Sequence, residues 1–237
     1  MRPLLIVKAG ATLPSLPEGS GDFEDWILAG MGPLPRRVEV ARVYQGEELP
    51  DPAGLAGAVV TGSGAMLSDR EPWSERTAEW LARAVAAQTP VLGICYGHQL
   101  LAHGLGGRVG VNPRGRQIGT VALRLHEAAH RDRLLGGFPE VLQVQASHVE
   151  SVLELPAGAR LLASTAGDPH HAFAVGAAAW GVQFHPEFDA DITRAYIEAR
   201  REPIRAEGLD PELLLRTVTD CPGGTEVLGR FSRLLRE

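Results

Sequence analysis

Two segments of the sequence contain residues that could carry out nucleophilic catalysis. The first, residues 90–107, reads PVLGICYGHQLLAHGLGG. A short apolar run leads into Gly93, Cys95 and Gly97, and a helical pattern starts at once. Glycines on both sides of one reactive residue, between a strand and a helix, are typical of a nucleophile elbow. The helix dipole would stabilise a thiolate there and leave the backbone N–H of Tyr96 free to face an oxyanion. Cys95 is thus a candidate nucleophile, and a buried structural cysteine is the alternative.

The second segment, residues 180–188, reads WGVQFHPEF and supplies a candidate base. His185 ends a strand-like run that Pro186 cannot continue, and Glu187 follows two residues on. Residues i and i+2 of an extended chain project to the same side, so the carboxylate can reach one imidazole nitrogen while the other faces outward. An imidazole oriented in this way is a general base. A surface turn in which His and Glu meet by chance is the alternative.

The elements that must position these segments alternate in type over the first half of the chain. Apolar strand runs separated by helical patterns indicate a parallel sheet covered on both faces. Before residue 115 we predict strands at 4–7, 38–43, 58–60 and 91–94, with a crossover helix capped by Ser74.

Beyond residue 115 the pattern changes to strict alternation, which predicts further strands, some of them antiparallel. Helical periodicity then returns near residue 192, where we expect Pro203 to end the helix. These strands are predicted at 119–125, 142–146, 172–175 and 180–184, and the helices at 192–199 and 225–235.

Composition excludes several classes of protein. The chain has 237 residues, 44% of them apolar and 22% charged, which suits a globular α/β domain. Its net charge of −6 gives no cationic field for nucleic acid or anionic lipid, so neither is an expected partner. No apolar run approaches about 18 residues, and the start lacks a secretory signal, so we expect a cytoplasmic protein. Two cysteines cannot make a disulfide framework.

Together, GICYGHQL and, roughly ninety residues later, GVQFHPEF resemble the signature segments of the class I glutamine amidotransferases. Residues 58–67 (AVVTGSGAML) occupy the place of the family's strand and oxyanion loop, and residues 146–152 (ASHVESV) are similar to the SHGD segment of the GMP synthase type. The resemblance implies a flavodoxin-like α/β fold, with a mostly parallel central sheet flanked by helices and extra antiparallel strands. We expect an amidotransferase domain over 1–190 and a C-terminal helical extension, 191–237, packed on the same domain.

The resemblance also implies roles for individual residues. Cys95 would be the nucleophile, His185 the base and Glu187 the residue that orients it, while the backbone N–H groups of Ser63 and Tyr96 would form the oxyanion hole. The implied substrate-binding residues are Gly62, Gln99, Ser147, His148 and Val149.

Two departures from the family pattern concern the same region. The loop Gly62, Ser63, Gly64 has glycine where the family usually has proline as the third residue, so we expect a more flexible turn. Val149 and Glu150 stand where the SHGD segment has Gly and Asp, which alters the wall beside the substrate.

The implied reaction is hydrolysis of the glutamine side-chain amide through a glutamyl thioester, with no cofactor and no metal. The ammonia would serve an ATP-dependent synthetase partner in trans, because the chain has neither an SGGxDS nor a GxxxxGK[ST] loop. A stand-alone hydrolase of γ-glutamyl peptides is the alternative with the same triad. A catalytically silent interaction protein is a third, against which the intact triad argues.

A remote alternative is a zinc peptidase, since residues 126–130 read HEAAH. The motif requires both histidines on one face of a helix, whereas His126 here ends a strand-like run. His170 and His171 lie in a predicted turn where we expect them to be solvated, and Cys221 is expected to be a bystander thiol.

Overall fold

The computed structural model of the chain describes residues 2–17 and 19–236. The strands are β1 (Leu4–Lys8), β2 (Val38–Arg42), β3 (Gly57–Val60), β4 (Val91–Ile94), β5 (Arg108–Val111), β6 (Gln117–Leu125), β7 (Val141–His148), β8 (Glu150–Glu154), β9 (Arg160–Ser164), β10 (Ala172–Val175) and β11 (Ala179–Val182). The α-helices are α1 (Phe23–Met31), α2 (Pro72–Ala86), α3 (Tyr96–Gly104), α4 (Ala190–Ala199), α5 (Arg201–Ala206), α6 (Pro211–Thr217) and α7 (Pro222–Leu234).

A nine-stranded sheet in the order β2-β1-β3-β4-β11-β10-β9-β6-β7 forms the centre of the fold, and β5 pairs separately with β8. The strands from β2 to β11 in this order run parallel to one another. The four strands that follow are joined by antiparallel pairs. This is the α/β fold that the sequence predicts, with a mostly parallel sheet extended by antiparallel strands.

Both faces of the parallel part are buried, and strand β1 shows why its sequence is apolar throughout. Leu4 and Ile6 point into the core shared with α1 and α7, whereas Leu5 and Val7 point into the core shared with α2 and α3. Each such side chain contributes roughly 1.5–3 kcal/mol when it leaves water. The continuous apolar run therefore follows from helices on both sides of the sheet.

The sheet order brings the chemically important segments to one edge. Strands β3, β4 and β11 are neighbours and parallel, so their carboxyl ends lie side by side. The loop after β3 contains Ser63, Cys95 directly follows β4, and His185 follows β11. In open α/β sheets such an edge is where ligands bind.

The C-terminal helices pack on this domain. Helix α7 contacts α1 and β7, and helices α4 and α6 contact β6. A small separate core beneath α4, α5 and α6 contains Ile118, Ile197 and Ile204. The boundary at residue 190 stays a prediction. Within the described residues, none of the helices has the length and apolar character needed to cross a membrane.

Two predicted helix boundaries are wrong for identifiable reasons. Helix α2 begins at Pro72 rather than after Ser74, because proline suits the first turn, where no N–H is required. The Ser74 hydroxyl is buried and accepts a hydrogen bond from Tyr96 Oη at 2.9 Å instead of capping the helix. Pro203 does not end a helix either: α4 ends at Ala199, and Pro203 lies in the first turn of α5.

Two further element ends differ by a few residues. The strand predicted at 180–184 is β11, which ends at Val182, so His185 lies beyond the sheet in the turn that follows. The helix predicted at 225–235 is α7, which begins at Pro222. Its first turn is Pro-Gly-Gly, which hides the helical pattern in the sequence.

Candidate active site

Cys95 lies in a strained turn between β4 and α3. Its backbone has φ 51° and ψ −100°, a conformation that residues other than glycine rarely adopt. The two neighbouring glycines permit the turn: a Cβ on Gly93 would lie 2.4 Å from the Gly97 carbonyl oxygen, and one on Gly97 would lie 2.4 Å from the Val60 carbonyl oxygen. The geometry is that of the nucleophile elbow predicted from the sequence.

His185 is held by contacts on two sides of its ring. Its Nδ1–H donates to Glu187 Oε1 at 2.8 Å, and the ring stacks on Phe188 with centroids 4.0 Å apart. Gly62 closes the site from the β3 side, because a Cβ there would lie 3.0 Å from His185 Cε1. With Nδ1 bound to the carboxylate, Nε2 is the nitrogen available for chemistry.

The charges of this group favour a protonated imidazole. Burial opposes the charged form, but the Glu187 carboxylate and the Cys95 thiolate outweigh it and raise the pKa of His185 to about 10. The Cys95 side chain also contributes a hydrogen bond to this shift. Cys95, His185 and Glu187 therefore form one group of interacting side chains.

Two residues that line a cavity beside Cys95, Ser63 and Tyr96, have backbone N–H groups without a partner among the described residues. Tyr96 is the first residue of α3, so its N–H has no partner within the helix. Ser63 lies on the loop after β3, and its Oγ accepts a hydrogen bond from Ala65 N at 3.1 Å. In residues 2–17 and 19–236, no hydrogen-bond acceptor pairs with the N–H of Ser63 or of Tyr96. Both groups are available to an oxyanion.

Glu150 anchors the loop that carries Ser63. Its carboxylate is 2% exposed and accepts hydrogen bonds from the backbone N–H of Leu67 at 2.6 Å and of Ser68 at 3.3 Å. The sequence predicts a flexible loop at residues 62–64, because glycine replaces the proline of the family pattern. The structure shows that the carboxylate at position 150 ties the far end of the same loop to β8.

A cleft with two cavities surrounds Cys95 and His185. The first cavity, of about 230 Å³, lies beside Cys95 and is bordered by the Ser63 loop and by β7. The second, also about 230 Å³, lies beside His185 and is bordered by residues 11–14. Ser63, Gly64, Ser147 and Arg200 line both. The cleft therefore extends to both sides of the candidate nucleophile and base.

The predicted substrate-binding residues occupy different places in this cleft. Gln99 lines the first cavity, and its Nε2 donates to the Glu150 carbonyl and to Gln183 Oε1. The carbonyl oxygen of Ser147 lies 3.8 Å from Cys95 Sγ.

His148 and Val149 also border the first cavity, whereas Gly62 does not and lies against His185 instead. The His148 side chain is 1% exposed, and its Nδ1–H donates to the Glu150 carbonyl. His148 thus borders the cleft with its backbone, while its imidazole is buried away from it.

Two arginines at the cleft were missed by sequence reasoning. Arg116 lines the first cavity, and Arg200 lines both. Arg200 lies between α4 and α5, more than ten residues beyond the GVQFHPEF segment, and Arg116 immediately precedes β6. Neither lies within a motif, and only the packing of the C-terminal helices brings Arg200 to the cleft.

Behind the cleft wall lies a buried histidine and aspartate cluster. His148, Asp168 and His171 have ligand atoms within 4.8 Å of one another, the one such group found among the described residues that could hold a metal ion. His171 is fully buried, so the expectation that it is solvated is wrong. Its Nδ1 lies 3.7 Å from Asp168 Oδ2, an attractive contact that lowers the pKa of Asp168 against the effect of burial.

The remaining sequence candidates lie away from the cleft. His126 precedes a 3-10 helix over Glu127–Arg131 and contacts Ser164 Oγ at 3.1 Å, so the HEAAH histidines do not share an α-helical face. Cys221 precedes α7, and burial raises the pKa of its thiol. Its Sγ donates to the Thr219 carbonyl oxygen at 3.5 Å.

The family model for "Glutamine amidotransferase class-I" matches residues 22–200, which is more than half of the chain. The chain belongs to the class I glutamine amidotransferase family. The match includes the Cys95, His185 and Glu187 segments and ends at Arg200.

Relatives within the family include GMP synthases. The glutamine-hydrolysing GMP synthase of Aeropyrum pernix is 39% identical over 142 residues, which are 60% of this chain and 25% of that protein. One subunit of the glutamine-hydrolysing GMP synthase of Saccharolobus solfataricus is 42% identical over 103 residues, which are 42% of this chain and 52% of that subunit. The chain thus spans about a quarter of the length of the first relative and about half of the second.

Solved structures show the same fold. A glutamine amidotransferase of Thermotoga maritima superposes with a TM-score of 0.75 at 21% identity, covering 100% of this chain and 99% of that one. A glutamine amidotransferase of Methylobacillus flagellatus gives 0.75 at 23% identity, covering 99% and 92%. The covered range includes the C-terminal helices, so these also belong to the shared fold.

Proposed function

We propose that the protein hydrolyses the side-chain amide of glutamine, with Cys95 as nucleophile, His185 as acid and base, and Glu187 as the residue that orients His185. One observation supports this most strongly: the strained Cys95 elbow is coupled to an imidazole whose other nitrogen is bound to a buried carboxylate. Such an arrangement serves acyl transfer.

The first half of the reaction forms a thioester. The Cys95 thiolate attacks the γ-carbonyl carbon of glutamine, and the N–H groups of Ser63 and Tyr96 bind the oxygen as it becomes negative. The imidazolium of His185 gives its Nε2 proton to the amide nitrogen, the C–N bond breaks, and ammonia leaves. A γ-glutamyl thioester on Cys95 remains.

The second half releases glutamate. Neutral His185 now takes a proton from water, and the hydroxide attacks the thioester carbonyl. Collapse of the tetrahedral intermediate expels the Cys95 thiolate and frees the γ-carboxylic acid, which loses its proton to solvent, so the thiolate and the imidazolium are both restored. Glu187 stabilises the charged ring in both halves and fixes Nε2 toward the reacting atoms.

An ATP-dependent synthetase partner in trans would receive the ammonia. The likeness to one subunit of a GMP synthase supports this proposal. A cytoplasmic location stays a prediction from the sequence.

A second candidate function is hydrolysis of γ-glutamyl peptides by the same triad. The cavity beside His185 favours it, because the leaving group departs on the side of the proton donor. A space of about 230 Å³ there can accept more than ammonia.

A substrate panel tests both functions. Glutamine and γ-glutamyl dipeptides are supplied to the purified protein while ammonia and free amino acid are measured. The proposal predicts measurable ammonia release from glutamine that rises when the partner is present. A kcat/KM for γ-glutamyl dipeptides far above that for glutamine would replace the synthetase proposal by the hydrolase. No turnover of either would reject both.

A further inference from the structure

The two arginines at the cleft differ in how their charge is balanced. Arg116 donates from Nε and Nη2 to the two oxygens of Glu207 at 2.8 and 2.7 Å. Arg200 stacks over the Tyr196 ring at 4.6 Å, and its Nη1 lies 3.5 Å from the Tyr196 carbonyl oxygen. In the part of the chain that the structure describes, no carboxylate forms an ion pair with Arg200.

The charge of Arg200 acts on the reacting group. Burial lowers the pKa of Arg200, while Tyr196 and Cys95 act in the opposite direction, so the guanidinium and the sulfur lie within electrostatic range of each other. Arg116 adds to the lowering by repulsion between the two guanidinium groups. Arginine remains charged in proteins, so the cleft contains a guanidinium that has no carboxylate ion-pair partner among the described residues.

The nearby carboxylates are hydrogen-bonded to other groups and not to Arg200. Glu150 borders the same cavity, but its oxygens accept hydrogen bonds from Leu67 and Ser68. Glu187 is bound to the His185 ring. A half-buried guanidinium without a carboxylate partner is a site for an anion, and its planar donors suit a carboxylate.

We propose that Arg200, assisted by Arg116, binds a carboxylate group of the substrate. The inference rests on the proposed function and extends it to substrate recognition. The carboxylate has two sources, the α-carboxylate of the γ-glutamyl group or a carboxylate on the departing part of a γ-glutamyl peptide. Arg200 can reach either, because it borders the cavity beside Cys95 and the cavity beside His185.

Four substrates separate the sources. Glutamine and γ-glutamyl-p-nitroanilide carry only the α-carboxylate, γ-glutamylglycine carries both, and glutamine α-amide carries neither. Steady-state kinetics are measured for the wild type, Arg200→Gln, Arg200→Lys and a matched control, Arg216→Gln. Arg216 is an exposed arginine of α6 that lines neither cavity of the cleft, so its substitution removes the same charge outside the candidate site.

The proposal predicts that Arg200→Gln raises KM by roughly 10- to 100-fold for substrates that carry the recognised carboxylate, the loss of one charge-assisted hydrogen bond. It predicts no change for glutamine α-amide, and partial retention of affinity in Arg200→Lys. An effect on all three carboxylate substrates identifies the α-carboxylate. An effect confined to γ-glutamylglycine identifies the departing part.

Other outcomes overturn the inference. Equal loss on all four substrates would mean that Arg200 acts on folding or on Cys95 and not on a carboxylate, and thermal unfolding of each variant is recorded to recognise a folding defect. No loss on any substrate would mean that Arg200 does not contact substrate. Failure of the proposed function is a different result, because the wild type itself would then turn over none of the four.

Discussion

Replacing Glu150 by alanine is expected to destabilise the protein and to slow catalysis together. The substitution leaves the buried N–H of Leu67 and the partly buried N–H of Ser68 without their acceptor. Hydrogen bonds to a charged group contribute about 1.5–3 kcal/mol each. Since the bond to Ser68 is long at 3.3 Å, we expect about 3 kcal/mol in total to be lost from the free energy of unfolding.

The catalytic effect follows because the same loop carries Ser63. If the loop moves, the Ser63 N–H no longer reaches the oxyanion, and losing one such donor lowers kcat roughly 100- to 1000-fold. Glu150→Gln keeps one acceptor oxygen and should lie between alanine and the wild type in both measurements. The Gln99 bond goes to the backbone carbonyl of residue 150, so these substitutions do not remove it.

Urea unfolding and kcat at saturating glutamine are the two assays, and Glu154→Gln is the control. Glu154 lies on the same strand, 66% of its side chain is exposed, and its pair with Arg108 is expected to contribute less than about 1 kcal/mol. If Glu150→Ala lost no more stability than Glu154→Gln and retained full kcat, Glu150 would not hold the loop.

Four further outcomes are expected. Cys95→Ser should abolish glutamine turnover and Cys221→Ser should preserve it, with folding of both checked by circular dichroism; loss in the second alone would reverse the assignment. Glu187→Gln should lower kcat about 100-fold or more at nearly constant KM, because the carboxylate acts through His185, and a raised KM alone would place it in substrate binding. Burial lowers the pKa of His98 to about 4, against about 6.5 in the unfolded chain, so protonation favours unfolding. The free energy of unfolding should therefore fall by about 3 kcal/mol as the pH drops from 6.5 to 4. His98→Leu should reduce this dependence on pH, and an unchanged dependence in the variant would refute the prediction. Activity should persist in EDTA, and inactivation that zinc restores would contradict the mechanism.

The relation between sequence and structure is closest where the determinants are local. The turn at Cys95 depends on Gly93 and Gly97, which are two residues away on either side, so a short motif contains the whole requirement. Strand β1 is apolar throughout because helices cover both faces, and the run of apolar residues shows this directly.

Features that depend on distant contacts could not be predicted. The role of Glu150 depends on Leu67, more than eighty positions earlier, and the sequence shows only a replaced aspartate. His171 follows a turn-like Asp168 and Pro169, yet packing against Phe184 buries it. Arg200 lies at the break between α4 and α5, and this break brings it to the cleft. The sequence indicates a helix end at Pro203 instead, so the position of Arg200 could not be predicted.

The central claim is that the γ-glutamyl group is carried on Cys95 during turnover, and its most direct test is acid quenching of the protein during reaction with glutamine, followed by peptide mass spectrometry. We expect a glutamyl adduct on the peptide that contains Cys95 and none on the peptide that contains Cys221. The glutamine analogue 6-diazo-5-oxo-norleucine should label the same sulfur irreversibly. Steady release of ammonia from glutamine with no adduct or label on Cys95 would contradict the account.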